Sequence, residues 1–189
     1  MEFSLNYKTC MPYSRWQEEN CDLKKHIKER CEEIKTKYST QKELYHKELE
    51  SEYMKGEDCG NAFEQHNDPS LDIRLNQNKE LISLEVEINS TLEKILKNIV
   101  DEFKFCGTKY YKESYFDFYT RLIKESKKIE MSDLKNEKEI IADMKKRRND
   151  SEHNTDSLLR NIDAEYVMKI ANAVYDYIDK LVQKLYDKK

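Results

Sequence analysis

One histidine follows a run of cationic side chains, and this segment is the part of the sequence best suited to chemistry. The run is Lys145-Lys146-Arg147-Arg148, Asn149 comes next, and His153 lies five positions after Arg148. Histidine titrates near neutral pH, so it can accept and donate a proton, and a guanidinium can bind two oxygens of one phosphate. These residue types favour general acid–base chemistry at a phosphate group.

The remaining candidates for metal or redox chemistry are weaker. His26, His46 and His66 lie among polar residues without a second ligand at metal-binding spacing. The five cysteines are an odd number at irregular spacings, so neither a disulfide framework nor a zinc site is predicted. A Gly-rich phosphate loop is also missing from the sequence. We therefore expect free thiols, no bound metal and no cofactor.

The composition favours helices. The chain has 189 residues, of which 38% are charged and only 3 are Gly and 2 are Pro. Such a sequence has few residues that break helices, so an all-α fold with one core is predicted. The net charge of −4 excludes the chain-wide basic excess of a non-specific nucleic-acid binder, so any RNA contact must be local.

The apolar runs are far shorter than the ~20 residues that cross a bilayer. The first five residues, Met1 to Leu5, also lack a basic segment followed by an apolar one, as a signal peptide would have. We therefore expect a cytoplasmic protein without membrane contact.

The first third of the chain is predicted to be a long helix. Residues 1–20 lack clear periodicity and are interpreted as a loop or short helix that docks through Trp16. From Asp22, apolar residues recur at steps of three and four up to Gly56, which suits a helix end. The stripe is narrow and the rest of the surface is charged, so this helix needs a partner.

Four further helices are predicted. The second has Pro69 at its first position and ends at Gly107. The third carries aromatic residues, Tyr111, Tyr115, Phe118 and Tyr119, which we expect to pack in the core; base stacking is the weaker alternative, because aromatic and basic residues do not alternate. Ser132 is expected to cap the fourth helix, which the polar stretch 149–157 interrupts, and the last begins near Asp163.

The six residues from Arg148 to His153 resemble the signature of the HEPN superfamily, in whose ribonucleases four to six residues separate Arg from His and Asn often follows the Arg. The resemblance covers about residues 70–189. It implies an up-down bundle of four to five helices for residues 69–189, with residues 1–68 as an N-terminal helical extension that includes the additional long helix.

The resemblance also implies a function. In this family two protomers form one cleft that cleaves RNA without a metal and leaves a 2′,3′-cyclic phosphate. Carried over to this chain, His153 is the general acid/base, Arg148 binds the phosphate and Asn149 orients it, while Arg147, Lys146 and Lys145 contact RNA. The expected protein is thus a homodimeric endoribonuclease in stress response or phage defence, with a regulatory protein as a further possible partner. Thr155 stands where the toxin branch has Tyr, so a tyrosine-modifying antitoxin is not predicted.

Three other interpretations stay open. The cations at 145–148 can simply stabilise a helix C-terminus, with His153 in solvent. HEPN proteins also include members that do not cleave RNA, so the chain can be a dimerising module whose 22–55 helix recruits another protein. The third interpretation is a helical surface or exported protein. The abundance of Lys, Asn, Tyr and Ile favours it, and the missing signal peptide opposes it.

Overall fold

The computed structural model describes residues 7–54, 69–153 and 162–187, with side chains from residue 15 onward except at positions 52, 53 and 148–153. Within these ranges the chain forms five α-helices, and one 3-10 turn, Ser132–Leu134, precedes the fourth. The helices are α1 Tyr7–Met54, α2 Pro69–Glu102, α3 Tyr115–Lys127, α4 Lys135–His153 and α5 Ala164–Asp187. These described ranges contain no strand, so the predicted all-α helical bundle is confirmed.

The described part of helix α1 begins at Tyr7, so the prediction of a loop or short helix was wrong for residues 7–20. Its buried side chains continue toward the N-terminus at steps of three and four through Asn20 to Trp16. Asn20 concealed this stripe because it is polar, yet it is buried and its Nδ2 donates to the Tyr175 carbonyl at 3.0 Å. The predicted docking of Trp16 is confirmed, since its side chain is 1% exposed.

The core lies between α1, α2 and α5; α1 runs antiparallel to both α2 and α5, which are therefore parallel to each other. Near the start of α1, the Trp16 ring lies 6.2 Å from that of Phe103, just after α2, and 6.5 Å from that of Tyr186, near the end of α5. Further along α1, Lys42 meets Gln77 in the first half of α2. The fully buried aliphatic residues of α2 are Leu81, Ile88, Leu92, Ile95, Leu96 and Ile99.

Helix α2 begins at Pro69, as predicted, but it ends at Glu102 and not at Gly107. The chain leaves the helix through Lys104, which adopts a left-handed conformation with φ 53°. Gly107 has a different role, because a β-carbon there would overlap the side chain of Leu122 on α3. The glycine therefore allows the connection to lie close against α3.

Helix α3 begins where Ser114 accepts a hydrogen bond from the Asp117 amide at 3.1 Å, which is a standard N-cap. Phe118 and Tyr119 pack partly buried against the core. Tyr111 lies before the helix and is 91% exposed, and Tyr115 is 54% exposed. The prediction that these aromatic residues pack in the core was therefore wrong for Tyr111 and Tyr115.

Helix α4 differs from the prediction at both ends. Ser132 does not cap it, because its hydroxyl faces Glu130 at 3.5 Å and the 3-10 turn intervenes. At the other end the helix continues to His153, so the prediction that the polar stretch interrupts it from residue 149 was wrong up to that point. Residues 154–157 lie outside the described residues. The predicted start of α5 is confirmed, since Asp163 Oδ1 accepts from the Tyr166 amide at 2.6 Å.

The predicted division between residues 1–68 and 69–189 falls in the connection 55–68, which lies outside the described residues, as does Gly56. That division stays a prediction. Side chains of α1 belong to the same core cluster as those of α2 and α5. None of the described helices has both the length and the apolar character needed to cross a membrane.

Replacing Trp16 by Ala should strongly destabilise the fold, because it removes the aromatic contact at which α1, α2 and α5 meet. Truncation of a buried aromatic residue typically lowers the free energy of unfolding by about 3–5 kcal/mol. The matched control is Leu44→Ala on the same helix, where the side chain is 53% exposed and a change within about 0.5 kcal/mol is expected. Urea denaturation followed by circular dichroism measures both, and equal midpoints would contradict the docking of Trp16.

Candidate functional site

The predicted catalytic segment forms the last turns of α4. Arg148, Asn149 and His153 all have helical backbone, and His153 is the last described residue of the helix. Their side chains lie outside the described residues, so their predicted roles stay predictions. The helix does fix where each position stands relative to the rest of α4.

The helical period places Asn149 and His153 on one stripe and Arg148 on another. Four residues advance an α-helix by about 40° beyond one full turn, whereas five residues advance it by about 140°. Position 149 therefore stands near position 153, and position 148 does not. The backbone alone thus does not pair Arg148 with His153.

The two stripes continue different parts of α4. Positions 149 and 153 continue the stripe of positions 138, 142 and 145. These three line an open groove of about 1450 Å³ between α3 and α4. Position 148 continues the stripe of Glu137, Ile141 and Met144, all of which are buried. The segment therefore stands at the boundary between the groove and the core.

Arg147 lies on the side of α4 that faces α5. Its guanidinium carbon is 4.0 Å from the centre of the Tyr166 ring, and the Tyr166 hydroxyl donates to Asp143 Oδ2 at 2.6 Å. Burial, followed by this hydrogen bond, raises the pKa of Tyr166 to about 12. Arg147 is thus held by an aromatic contact on the α5 side.

Lys145 points the other way. Its Nζ lies 3.5 Å from Glu93 on α2 and 5.2 Å from the centre of the Phe116 ring on α3. Lys146 is exposed. Because consecutive helix positions are about 100° apart, the structure does not bring the three predicted RNA-contacting cations to one face.

A buried acid of α2 lies under this part of α4. Glu85 is 1% exposed, and its Oε1 has no hydrogen-bond partner. Burial raises the pKa of Glu85 to about 7; the charge of Arg147 opposes this rise and that of Asp143 adds to it. Glu85 is therefore the buried carboxyl whose charge changes near neutral pH.

Five lysines and five acidic residues line the groove between α3 and α4, which we call the lysine groove; the lysines are Lys124, Lys128, Lys135, Lys138 and Lys145. Lys138 is half-buried, its Nζ lies 3.6 Å from Met131 Sδ, and among the described residues it forms no ion pair. Burial lowers the pKa of Lys138, and the nearby charge of Lys124 lowers it further. A groove with a cation in this setting can accept an anionic ligand.

The described residues contain no group of three His, Cys, Asp or Glu side chains that could hold a metal ion. Cys21, Cys31 and Cys106 are free thiols, as expected, while Cys10 and Cys59 lie outside the described side chains. Cys31 is buried in the core, and burial, followed by the charge of Glu32, raises its pKa to about 11. That thiol stays protonated at neutral pH.

Glu85 was not recognised as a candidate from the sequence. The feature of the sequence that could have indicated it is an acidic residue within a helix of strong apolar periodicity, directly after Leu84 and three residues before Ile88. Tyr166 was also missed, and no short motif marks it. Comparison with protein-family models, with curated proteins and with solved structures gave no match to the chain.

Changing Glu85 to Gln should alter how stability depends on pH. The folded protein binds the Glu85 proton with a pKa of about 7, against an ordinary value of 4.5. Between these values the folded state holds more protons than the unfolded state, so stability decreases as pH rises through this range and is level above it. Relative to Glu85→Gln, the wild type should lose about 3 kcal/mol between pH 4 and pH 8.

Urea denaturation of both proteins at several pH values measures this difference. Glu102→Gln, the exposed last residue of the same helix, is the control and should keep the wild-type pH dependence. If Glu85→Gln also kept it, the buried carboxyl would not be the titrating group.

Proposed function

We propose that this protein is a metal-independent endoribonuclease of the HEPN type that acts as a homodimer. The observation that carries the proposal is the sequence Arg148-Asn149 with His153 four residues beyond Asn149, in the cationic last turns of α4 of an all-helical bundle. The lysine groove leads along α4 toward positions 149 and 153, and within it Lys138 forms no ion pair among the described residues, so this half-buried cation supports an anionic substrate.

The reaction begins at the ribose 2′-hydroxyl. His153 accepts its proton while the oxygen attacks the adjacent phosphorus, and the bond from phosphorus to the 5′-oxygen breaks. A proton returns to the leaving 5′-oxygen, so the products are a 2′,3′-cyclic phosphate and a 5′-hydroxyl. Arg148 stabilises the negative charge that builds on the phosphate oxygens, and Asn149 orients the phosphate.

Two copies of the chain form the active cleft. One imidazole cannot easily act as base and acid in the same step, so a second His153 supplies the other function. The helical register supports this arrangement, because a single α4 presents positions 148 and 153 on different faces. A cleft made from two copies can receive Arg from one copy and His from the other.

The setting of this activity is the cytoplasm, in stress response or defence against phage. A ribonuclease in that compartment requires control, and a regulatory protein partner is part of the proposal.

One observation favours a second function, that of a non-catalytic interaction module. Helix α1 has 48 residues and is therefore about 72 Å long, twice the length of the 24-residue α5. Its described side chains beyond Tyr38 are exposed or half-buried, with Leu44 and Met54 exposed. This last third of α1 offers a surface for a protein partner.

The endoribonuclease proposal predicts that purified protein cleaves a mixed RNA pool in EDTA and leaves cyclic phosphate ends. His153→Ala should lower the cleavage rate at least about 100-fold, because general acid–base catalysis contributes 10²- to 10⁴-fold. Arg148→Ala should lower it as well, through loss of charge stabilisation at the phosphate. Gel analysis of the RNA and of its 3′ ends gives both readouts.

His26→Ala is the matched control, since His26 is exposed and its Nε2 lies 3.2 Å from Glu87, away from α4. It should retain full activity, and all three variants should keep the helical circular dichroism spectrum and the dimer mass. Equal cleavage by wild type, His153→Ala and Arg148→Ala would reject the assignment. Cleavage by none of the proteins would favour the interaction module.

A further inference from the structure

Three tyrosines before and at the start of α3 are exposed together. Tyr110 is 61%, Tyr111 91% and Tyr115 54% exposed. With Lys109 and Lys112 they form what we call the tyrosine surface. Each of these side chains has more than half of its surface exposed, and three such aromatic residues within six positions form a patch of the kind that marks a binding surface.

Arg121 holds the tyrosine surface in place. The guanidinium forms two hydrogen bonds with the Glu113 carboxylate, at 2.8 and 2.9 Å, and a third with the Thr108 carbonyl at 3.0 Å. Its carbon lies 3.9 Å from the centre of the Tyr110 ring. Arg121 lowers the pKa of Glu113 to about 2, so this pair stays charged. A ligand would therefore meet a preorganised surface.

The surface is also positively charged. Lys109 Nζ lies 4.8 Å from the centre of the Tyr115 ring, and Lys112 Nζ lies 5.4 Å from that of Tyr111. Residues 103–128 carry seven Lys and Arg against three Asp and Glu, in a chain whose net charge is −4. The segment thus concentrates positive charge that the whole chain lacks, which favours an anionic partner.

The start of α3, which adjoins the tyrosine surface, contacts α4 at Lys145. Lys145 Nζ is 5.2 Å from the centre of the Phe116 ring, and Phe116 adjoins Tyr115. From position 145, α4 extends eight residues to His153, which is about 12 Å. Glu113 and Ser114, next to the surface, also line the lysine groove between α3 and α4.

We propose that the tyrosine surface docks single-stranded RNA, with bases stacked on Tyr111 and Tyr115 and phosphates beside Lys109 and Lys112. The inference rests on the proposed function and names its substrate class. Aromatic rings accept any base in a stack, while lysines follow the backbone without reading sequence. In a duplex the bases are already stacked and paired, so duplex RNA cannot use the rings.

The test is the affinity of the His153→Ala protein for a fluorescent 20-nucleotide oligouridine, measured by anisotropy. In this background the RNA stays intact while the tyrosine surface is unchanged. Tyr111→Ala and Tyr115→Ala should each weaken binding roughly fivefold to a hundredfold, as expected for the loss of one stacked base. Lys112→Ala should reduce the slope of log Kd against log salt by about 0.7.

The controls separate stacking from folding. Tyr111→Phe keeps the ring and should bind like its parent protein. Met54→Ala changes a side chain that is 87% exposed on the distant end of α1 and should have no effect. Circular dichroism verifies that each variant is folded, and a blunt RNA duplex should bind equally well to the parent and to Tyr111→Ala.

The result that overturns the inference is an unchanged affinity in a folded Tyr111→Ala/Tyr115→Ala double variant, or the absence of oligouridine binding by the parent protein. The proposed function is tested separately by cleavage. Tyrosine-dependent binding without cleavage by wild type retains the docking surface and rejects the ribonuclease. If wild type cleaves RNA but binding does not depend on the tyrosines, the docking surface is rejected and the ribonuclease proposal is retained.

Discussion

The wide apolar face of α2 is the constraint on which the bundle depends. Its buried residues recur at steps of one, three and four from Leu81 to Val100, so they cover more of the helix surface than one neighbour can shield. Helices α1, α3, α4 and α5 each contact α2. The apolar stripes of α5 and α1 pack against this face and bury it. The positions of the other helices follow from the need to keep water away from this one face.

Much of this fold could be predicted from the sequence, because periodicity and Pro69 locate the helices. The errors arose where a polar residue is buried or an aromatic residue is exposed. Asn20 interrupts the apolar stripe of α1 but bonds to a carbonyl of α5, and Tyr111 has the hydropathy of a core residue but lies in solvent. Pattern analysis assigns burial from residue type, whereas these two positions are decided by tertiary hydrogen bonds and by loop geometry.

The candidate site illustrates the same limit. The sequence presents the cations from Lys145 to Arg148 as one cluster, yet each step along α4 rotates the next side chain, so Lys145 lies on α2 and α3 while Arg147 packs on α5. The buried charge of Glu85 could not be anticipated, since it depends on which helix covers α2 at that point. The spacing of Arg148 and His153 in the sequence therefore identified a candidate segment. Tertiary packing determines which of the described cations of that segment can bind the same ligand.

The contacts between α1 and α5 have a consequence for how the chain acquires its structure. The hydrogen bond from Asn20 to Tyr175 joins residues that are 155 positions apart, and Gln17 reaches Asp179 across 162. On a ribosome, α1 emerges long before α5, which is one of the two helices that cover it. Until α5 is made, the stripe of Trp16, Ile27 and Ile34 has only α2 to pack against. A topology of this kind folds slowly relative to helical bundles with local contacts, and it makes the nascent protein a natural client for chaperones.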